Sequence, residues 1–158
     1  MSVERSRLPD EIRHWYGDMI CDYTYTLGIA GEKFFTGLKE GRILGTRCPR
    51  CGAVWVPPSI YCPDCFEELT EWVEVPDEGV VFSFTVAHVG PDGKPLQEPE
   101  IYAFILLNGA DGGLLHKLGE VRPEEVYIGM RVKAVWAPEA ERKGAITDIR
   151  YFKPIEEG

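Results

Sequence analysis

Residues 48–65 read CPRCGAVWVPPSIYCPDC, which sets four cysteines in eighteen residues as two CxxC pairs with ten residues between them. Two such hooks joined by a short hairpin bring four sulfurs to the corners of a tetrahedron, the geometry in which Zn²⁺ accepts four thiolates. Cys48, Cys51, Cys62 and Cys65 are therefore the expected metal ligands. A redox dithiol would show a single CxxC at a helix start in an α/β pattern, and two disulfides would need an oxidising compartment. Zinc is the expected ion; iron in a rubredoxin-like site uses the same four ligands, and sequence does not separate the two metals. Four thiolates fill the shell of the ion and leave no position for water, so such a site braces a fold and performs no chemistry. Pro49 and Pro63 stiffen the two hooks at matching positions, and Gly52 suits a turn with positive φ. Arg47 and Arg50 lie beside the sulfurs and offset part of their charge.

The rest of the chain sets limits on what that ribbon can serve. At 158 residues and 44% hydrophobic content, the chain has material for one ordinary core, or one compact domain with a small module. No run approaches the ~20 apolar residues of a membrane span. The opening MSVERSRLPDEIRHWYGD lacks the apolar centre of a signal peptide. The expected location is the cytoplasm, where cysteines stay reduced. Formal charge is −9. The first 69 residues carry 8 Lys+Arg against 10 Asp+Glu, and the remainder carries 9 against 16. Non-specific nucleic-acid binding needs a basic surface, so this balance argues against it.

Upstream of the ribbon, GIAGEKFFTGLKEGRILG (28–45) places Ala30, Phe34 and Leu38 at i, i+4 and i+8, one face of a helix. Gly41 is its expected stop in the left-handed conformation, and Lys39 sits near the negative end of the dipole. Phe35 broadens the apolar stripe. Before it, a short helix after Pro9 and the aromatics Trp15, Tyr16, Tyr23 and Tyr25 make a terminal arm that either wraps over the body or docks on something else. Cys21, isolated in that arm, reads as a packed or idle thiol.

Downstream, from Thr70, the period becomes two. GVVFSFTVAHV points Val80, Phe82, Phe84 and Val86 one way, as a core face, and Ser83 and Thr85 the other. EIYAFILLN is apolar on both faces, as a central strand is. GLLHKLG, RVKAVWA and AITDIRYF supply three more strands, and VRPEEVYIG starts one helical turn between the third and fourth. Five strands with that turn predict a small closed barrel of OB-fold type. The expected class is mainly β, in three parts: an N-terminal helical arm over 1–45, a rubredoxin-like zinc ribbon over 46–69 and a five-stranded OB-like barrel over 70–158. His14, His88 and His116 have no nucleophile or carboxylate in a recognisable motif beside them, and a satisfied barrel histidine is the expected state of the last two.

The order of parts, with GLKEGRILGTRCPRCGAVWVPPSIYCPDC, then LLHKLGEV, IGMRVKAVW and a closing ITDIRYFKP, resembles the acyl-CoA-associated zinc-ribbon/OB-fold family known as domain of unknown function thirty-five, from about Tyr23 to Pro154. That resemblance implies a non-catalytic accessory subunit of a thiolase or related acyl-CoA enzyme, completing or bridging its acyl-CoA site. A free-standing acyl-CoA binder and a nucleic-acid-binding zinc-ribbon/OB protein are the alternatives. A CoA ester carries phosphates, and the cations expected to meet it are Arg131 and Lys133 on one strand face, Arg142 and Lys143 in the next loop, and Lys117 on another strand.

Overall fold

The computed structural model describes residues 24–155. The arm's expected helix after Pro9, Trp15, Tyr16, Tyr23, His14 and Cys21 lie outside those residues. Helix α1 runs Gly28–Glu40 and stops at Gly41, whose φ is 80°. The Gly41 N–H donates to the Leu38 carbonyl and the Arg42 N–H to that of Gly37, at 3.0 and 2.9 Å. These two bonds satisfy the carbonyls that a helix end leaves free. The helix thus stops at the glycine the sequence predicts, and the chain after Gly41 turns into strand β1, Ile43–Arg47. Phe34 and Leu38 are buried, and Phe35 packs half-buried against the same core. Tyr25, the arm aromatic that is described, is 74% exposed.

β1 is the middle of a three-stranded antiparallel sheet, flanked by β2 (Val54–Trp55) and β3 (Glu71–Val75). The barrel follows as β4 (Glu78–Val89), β5 (Pro95–Leu107), β6 (Gly113–Leu118), β7 (Arg131–Trp136) and β8 (Ile149–Pro154), in ring order β4-β5-β6-β8-β7. A 3₁₀ turn at Pro123–Glu125 lies between the third and fourth barrel strands, as the Pro-Glu-Glu run predicts. This is the OB-fold arrangement. The ring is completed only by a thin seam: β6 and β8 meet in parallel through one registered pair, Leu118 and Phe152. A neighbouring bond, Gly119 N–H to the Phe152 carbonyl at 2.9 Å, completes this thin seam.

β5 is central, with Ile101, Ala103, Ile105 and Leu107 buried on one face and Tyr102, Phe104 and Leu106 half-buried on the other. β4 does not follow the simple alternation read from its sequence. Val81 pairs with Ile105 but Ser83 pairs with Phe104, so Phe82 is an inserted bulge residue. The bulge shifts the side-chain register by one. Val81 is fully buried where Val80 was expected, and Phe82 is 58% exposed, its ring edge-on to Phe104 at 6.2 Å. Beyond the bulge Phe84 and Val86 pair with the buried Ala103 and Ile101, but Phe84, expected in the core, is 37% exposed and only Val86 packs half-buried against it. A second register shift lies between Ala87 and Val89, and His88 there is exposed to solvent, not the satisfied barrel histidine expected.

Ribbon and barrel are tied together. The Val54 N–H donates to Asp111 Oδ2 and the Asp111 N–H to the Val54 carbonyl, both at 2.8 Å. One buried cluster takes in Phe34, Leu38, Ile43, Val54, Val56 and Val75 with the barrel interior. Among the described residues no helix is long and apolar enough to cross a membrane.

Candidate metal centre

The two CxxC hooks close the same way. In the first, the Cys48 N–H donates to the Ala53 carbonyl and the Gly52 N–H to that of Cys48; in the second, the Cys62 N–H donates to Glu67 and the Phe66 N–H to Cys62. Each loop wraps its backbone N–H groups around the leading cysteine. The four Sγ atoms lie within 4.8 Å of one another. Measured pairs are 3.4 Å for Cys48 and Cys65, 3.7 Å for Cys51 and Cys62, and 4.0 Å for Cys51 and Cys65. Bonds of ~2.3 Å from a central Zn²⁺ to four tetrahedral thiolates put sulfurs about 3.8 Å apart. The cage therefore fits the ion. Cys48 and Cys62 are buried and floor it, together with Leu69, while Trp55 packs alongside.

Electrostatics point the same way. Burial alone would push the Cys62 thiol up, but the N–H groups of Cys65 and Asp64 outweigh it and hold the thiol at about 6. Cys48 is likewise lowered against its burial by the N–H groups of Cys51 and Arg50. The Glu67 N–H favours a Cys65 thiolate, yet burial and the sulfurs of Cys48 and Cys62 drive Cys65 up to about 12. Backbone N–H groups thus favour the thiolate at Cys48 and Cys62, while the neighbouring sulfurs disfavour it at Cys51 and Cys65. A divalent ion at the centre removes the repulsion between them.

The expected cations are dispersed. Lys117 on β6 donates to Glu100 Oε1 at 2.7 Å, and Glu100 also accepts from Tyr102. Arg131 and Lys133 share an outward face of β7. Lys133 donates to Glu78 at 3.2 Å, with Asp77 3.8 Å away. Arg142 donates from Nε to the Ala137 carbonyl and lies over the Trp136 ring, 5.5 Å from its centroid. Lys143 gives its backbone N–H to Asp148. Strand β8 separates Lys117 from the β7 pair, so the structure brings Arg131 and Lys133 together and leaves Lys117 across the seam. His116 is occupied on both ring nitrogens: Nδ1 accepts the Lys117 N–H at 2.9 Å, which leaves the proton on Nε2, facing the Ile146 carbonyl at 3.2 Å. It is the satisfied barrel histidine the sequence predicts. Asp111, which locks the ribbon to the barrel, went unread because "NGADGG" carries only the signal of a turn.

Comparison with known proteins decides the family. Residues 35–71 match the profile "ChsH2, rubredoxin-like zinc ribbon domain", and residues 72–137 match "ChsH2, C-terminal OB-fold domain". A DUF35 domain-containing scaffold protein of Methanocaldococcus jannaschii is 35% identical over 117 residues, covering 72% of this chain and 82% of that protein. This chain belongs to the DUF35 family. Within the family, a crystal structure of a DUF35 protein of unknown function from Sulfolobus solfataricus is similar at 36% identity and a TM-score of 0.60, over 68% of this chain and 78% of that one. The Ltp2-ChsH2(DUF35) aldolase is similar at 27% identity and a TM-score of 0.58, over 78% of this chain and 93% of that one. A Thermomonospora curvata protein named "Probable enoyl-CoA hydratase alpha subunit" is 29% identical over 78% of this chain but only 38% of its own length.

Proposed function

We propose that this DUF35 chain is a non-catalytic accessory subunit of an acyl-CoA enzyme, bridging or completing the partner's acyl-CoA site. The observation that carries the reading is the sulfur cage: four cysteines spaced for one tetrahedral ion, with no fifth donor in the set. In this reading Cys48, Cys51, Cys62 and Cys65 hold a structural Zn²⁺, which supplies rigidity and no chemistry. Two relatives are named scaffold proteins, in M. jannaschii and Pyrococcus furiosus, and two similar proteins are a named hydratase subunit and an aldolase assembly. Those names support a CoA-ester partner. A thiolase is the partner class that the resemblance suggests. Arg131, Lys133, Arg142, Lys143 and Lys117 are the cations proposed to meet CoA phosphates; among the described residues Lys117 and Lys133 are already held in ion pairs with carboxylates, and Arg131, Arg142 and Lys143 are not.

Co-isolation of the full chain from its native source, with the retained proteins identified by mass spectrometry, tests this. Recovery with a CoA-ester enzyme in fixed stoichiometry is expected. Recovery alone, together with thioester turnover by the chain by itself, contradicts the proposal. Calorimetry with acyl-CoA on the isolated chain separates the carrier alternative, which requires saturable heat without any partner.

A further inference from the structure

The two cysteine hooks are matched bond for bond, but not in the residue that completes them. Each needs a left-handed residue four places after its first cysteine. In the first hook this is Gly52, with φ 79°, which pays no steric cost. In the second it is Phe66, with φ 58° and 80% exposure. A bulky side chain at positive φ is an outlier that surrounding structure normally compensates. Glu120, the other such residue among those described, is compensated: its carboxylate accepts from Tyr151 at 2.7 Å and Lys153 at 3.1 Å. Phe66 has nothing comparable, because its ring faces solvent. Packing among the described residues does not explain it.

Its neighbourhood makes it part of a surface. Ile60 and Tyr61, on the opposite arm of the same hook, are 46% and 55% exposed. Tyr61 bridges to Glu68, and the Leu69 N–H reaches the Ile60 carbonyl at 2.9 Å, so both arms are rigidly paired. The hook thus presents two aromatic rings and an isoleucine on a backbone clamped at its base by buried Cys62. Rigid exposed aromatics of this kind are what interface anchors are made of. Around them stand Asp64, Glu67 and Glu68, and between Arg50 and Lys94 the sequence holds eight carboxylates and no Lys or Arg.

We propose that this hook is a docking surface, with Phe66 as its anchor, for an apolar pocket rimmed by Lys and Arg on the CoA-ester enzyme that the chain serves. The proposal rests on the accessory reading above for the identity of the partner. The ring enters the pocket, Tyr61 and Ile60 exclude water around it, and the acidic rim steers the approach. The strained backbone at residue 66 is kept because glycine there would leave the pocket empty.

The test uses the full metal-loaded chain and the CoA-ester enzyme recovered with it. Phe66→Gly is expected to match or exceed the wild type in melting temperature and to keep its metal, while affinity for the enzyme falls about 30-fold or more. Phe66→Asn, which tolerates the left-handed conformation, is expected to behave alike. Glu67→Lys with Glu68→Lys is expected to slow association about 10-fold at low salt and flatten its salt dependence. Affinity of Phe66→Gly within about 2-fold of wild type overturns the surface but leaves the accessory reading standing. Loss of metal or a lower melting temperature in Phe66→Gly also overturns it, by giving the ring an internal role. A wild-type chain that retains no CoA-ester enzyme overturns the accessory reading itself.

Discussion

Asp148 is 3% exposed, and its carboxylate accepts the backbone N–H groups of Lys143, Gly144 and Ala145 at 2.9, 2.7 and 3.1 Å. Burial pushes its pKa up, and those three donors, with the Arg142 charge nearby, more than reverse this and hold it below the ordinary value of 3.8. A carboxylate lowered on folding contributes stability above its unfolded pKa, and that contribution is lost as pH falls through the folded value. Asp148→Asn turns amide hydrogens toward N–H groups and leaves donors unmet, which should cost about 1–3 kcal/mol at neutral pH. Urea melts from pH 7 to below 3.8 should show the wild-type advantage shrinking toward the mutant. At this scale the sequence speaks only where chemistry demands both residue type and spacing. The four cysteines meet that demand within eighteen residues. Asp148 and Asp111 do not, because their partners are backbone groups whose position is set by the fold.

Strand identity was legible because apolar residues recur with a period of two, and all five barrel segments contain strands, although AITDIRYF opens as a 3₁₀ turn over Ile146–Asp148 and its strand begins only at Ile149. The bulge at Phe82 was not legible, since an inserted residue leaves the apolar content of VVFSF unchanged while reversing which side chains face in. The seam was hidden too: no local pattern says that β6 and β8 share a single pair. Phe152 sits at that seam, fully buried, with its ring edge-on to His116 at 5.6 Å. Phe152→Ala should therefore cost about 3–5 kcal/mol, the range for a large aromatic removed from a core. Leu115→Ala, 70% exposed on the adjoining strand, should stay within about 0.5 kcal/mol in the same denaturant titrations. Hydrogen exchange should find the Gly119 amide opening before those of β5, which is laddered on both sides.

Across the whole molecule, helix, ribbon sheet and barrel share one buried cluster rather than three. β3 lies on the far side of the ribbon sheet from β2 and runs directly into β4, so the metal end and the barrel are mechanically continuous. Removing the metal should then loosen more than the hooks. A strong chelator is expected to lower the melting temperature of the barrel, read as faster exchange of β5 amides, and added Zn²⁺ should restore it. Barrel amides indifferent to chelation would show that the two parts are stabilised separately. An accessory role is consistent with this construction, in which the rigid hook carrying Phe66 stands at one end and the outward cations of β7 stand on the barrel.

The account rests on a metal whose shell is complete and which therefore holds the chain rather than a substrate. X-ray absorption at the metal edge of the freshly isolated chain reads that shell directly. Four sulfur neighbours at ~2.3 Å, with no oxygen or nitrogen, are the predicted result. A light-atom neighbour in the first shell, or fewer than four sulfurs, would place an open coordination site in this chain and contradict the account.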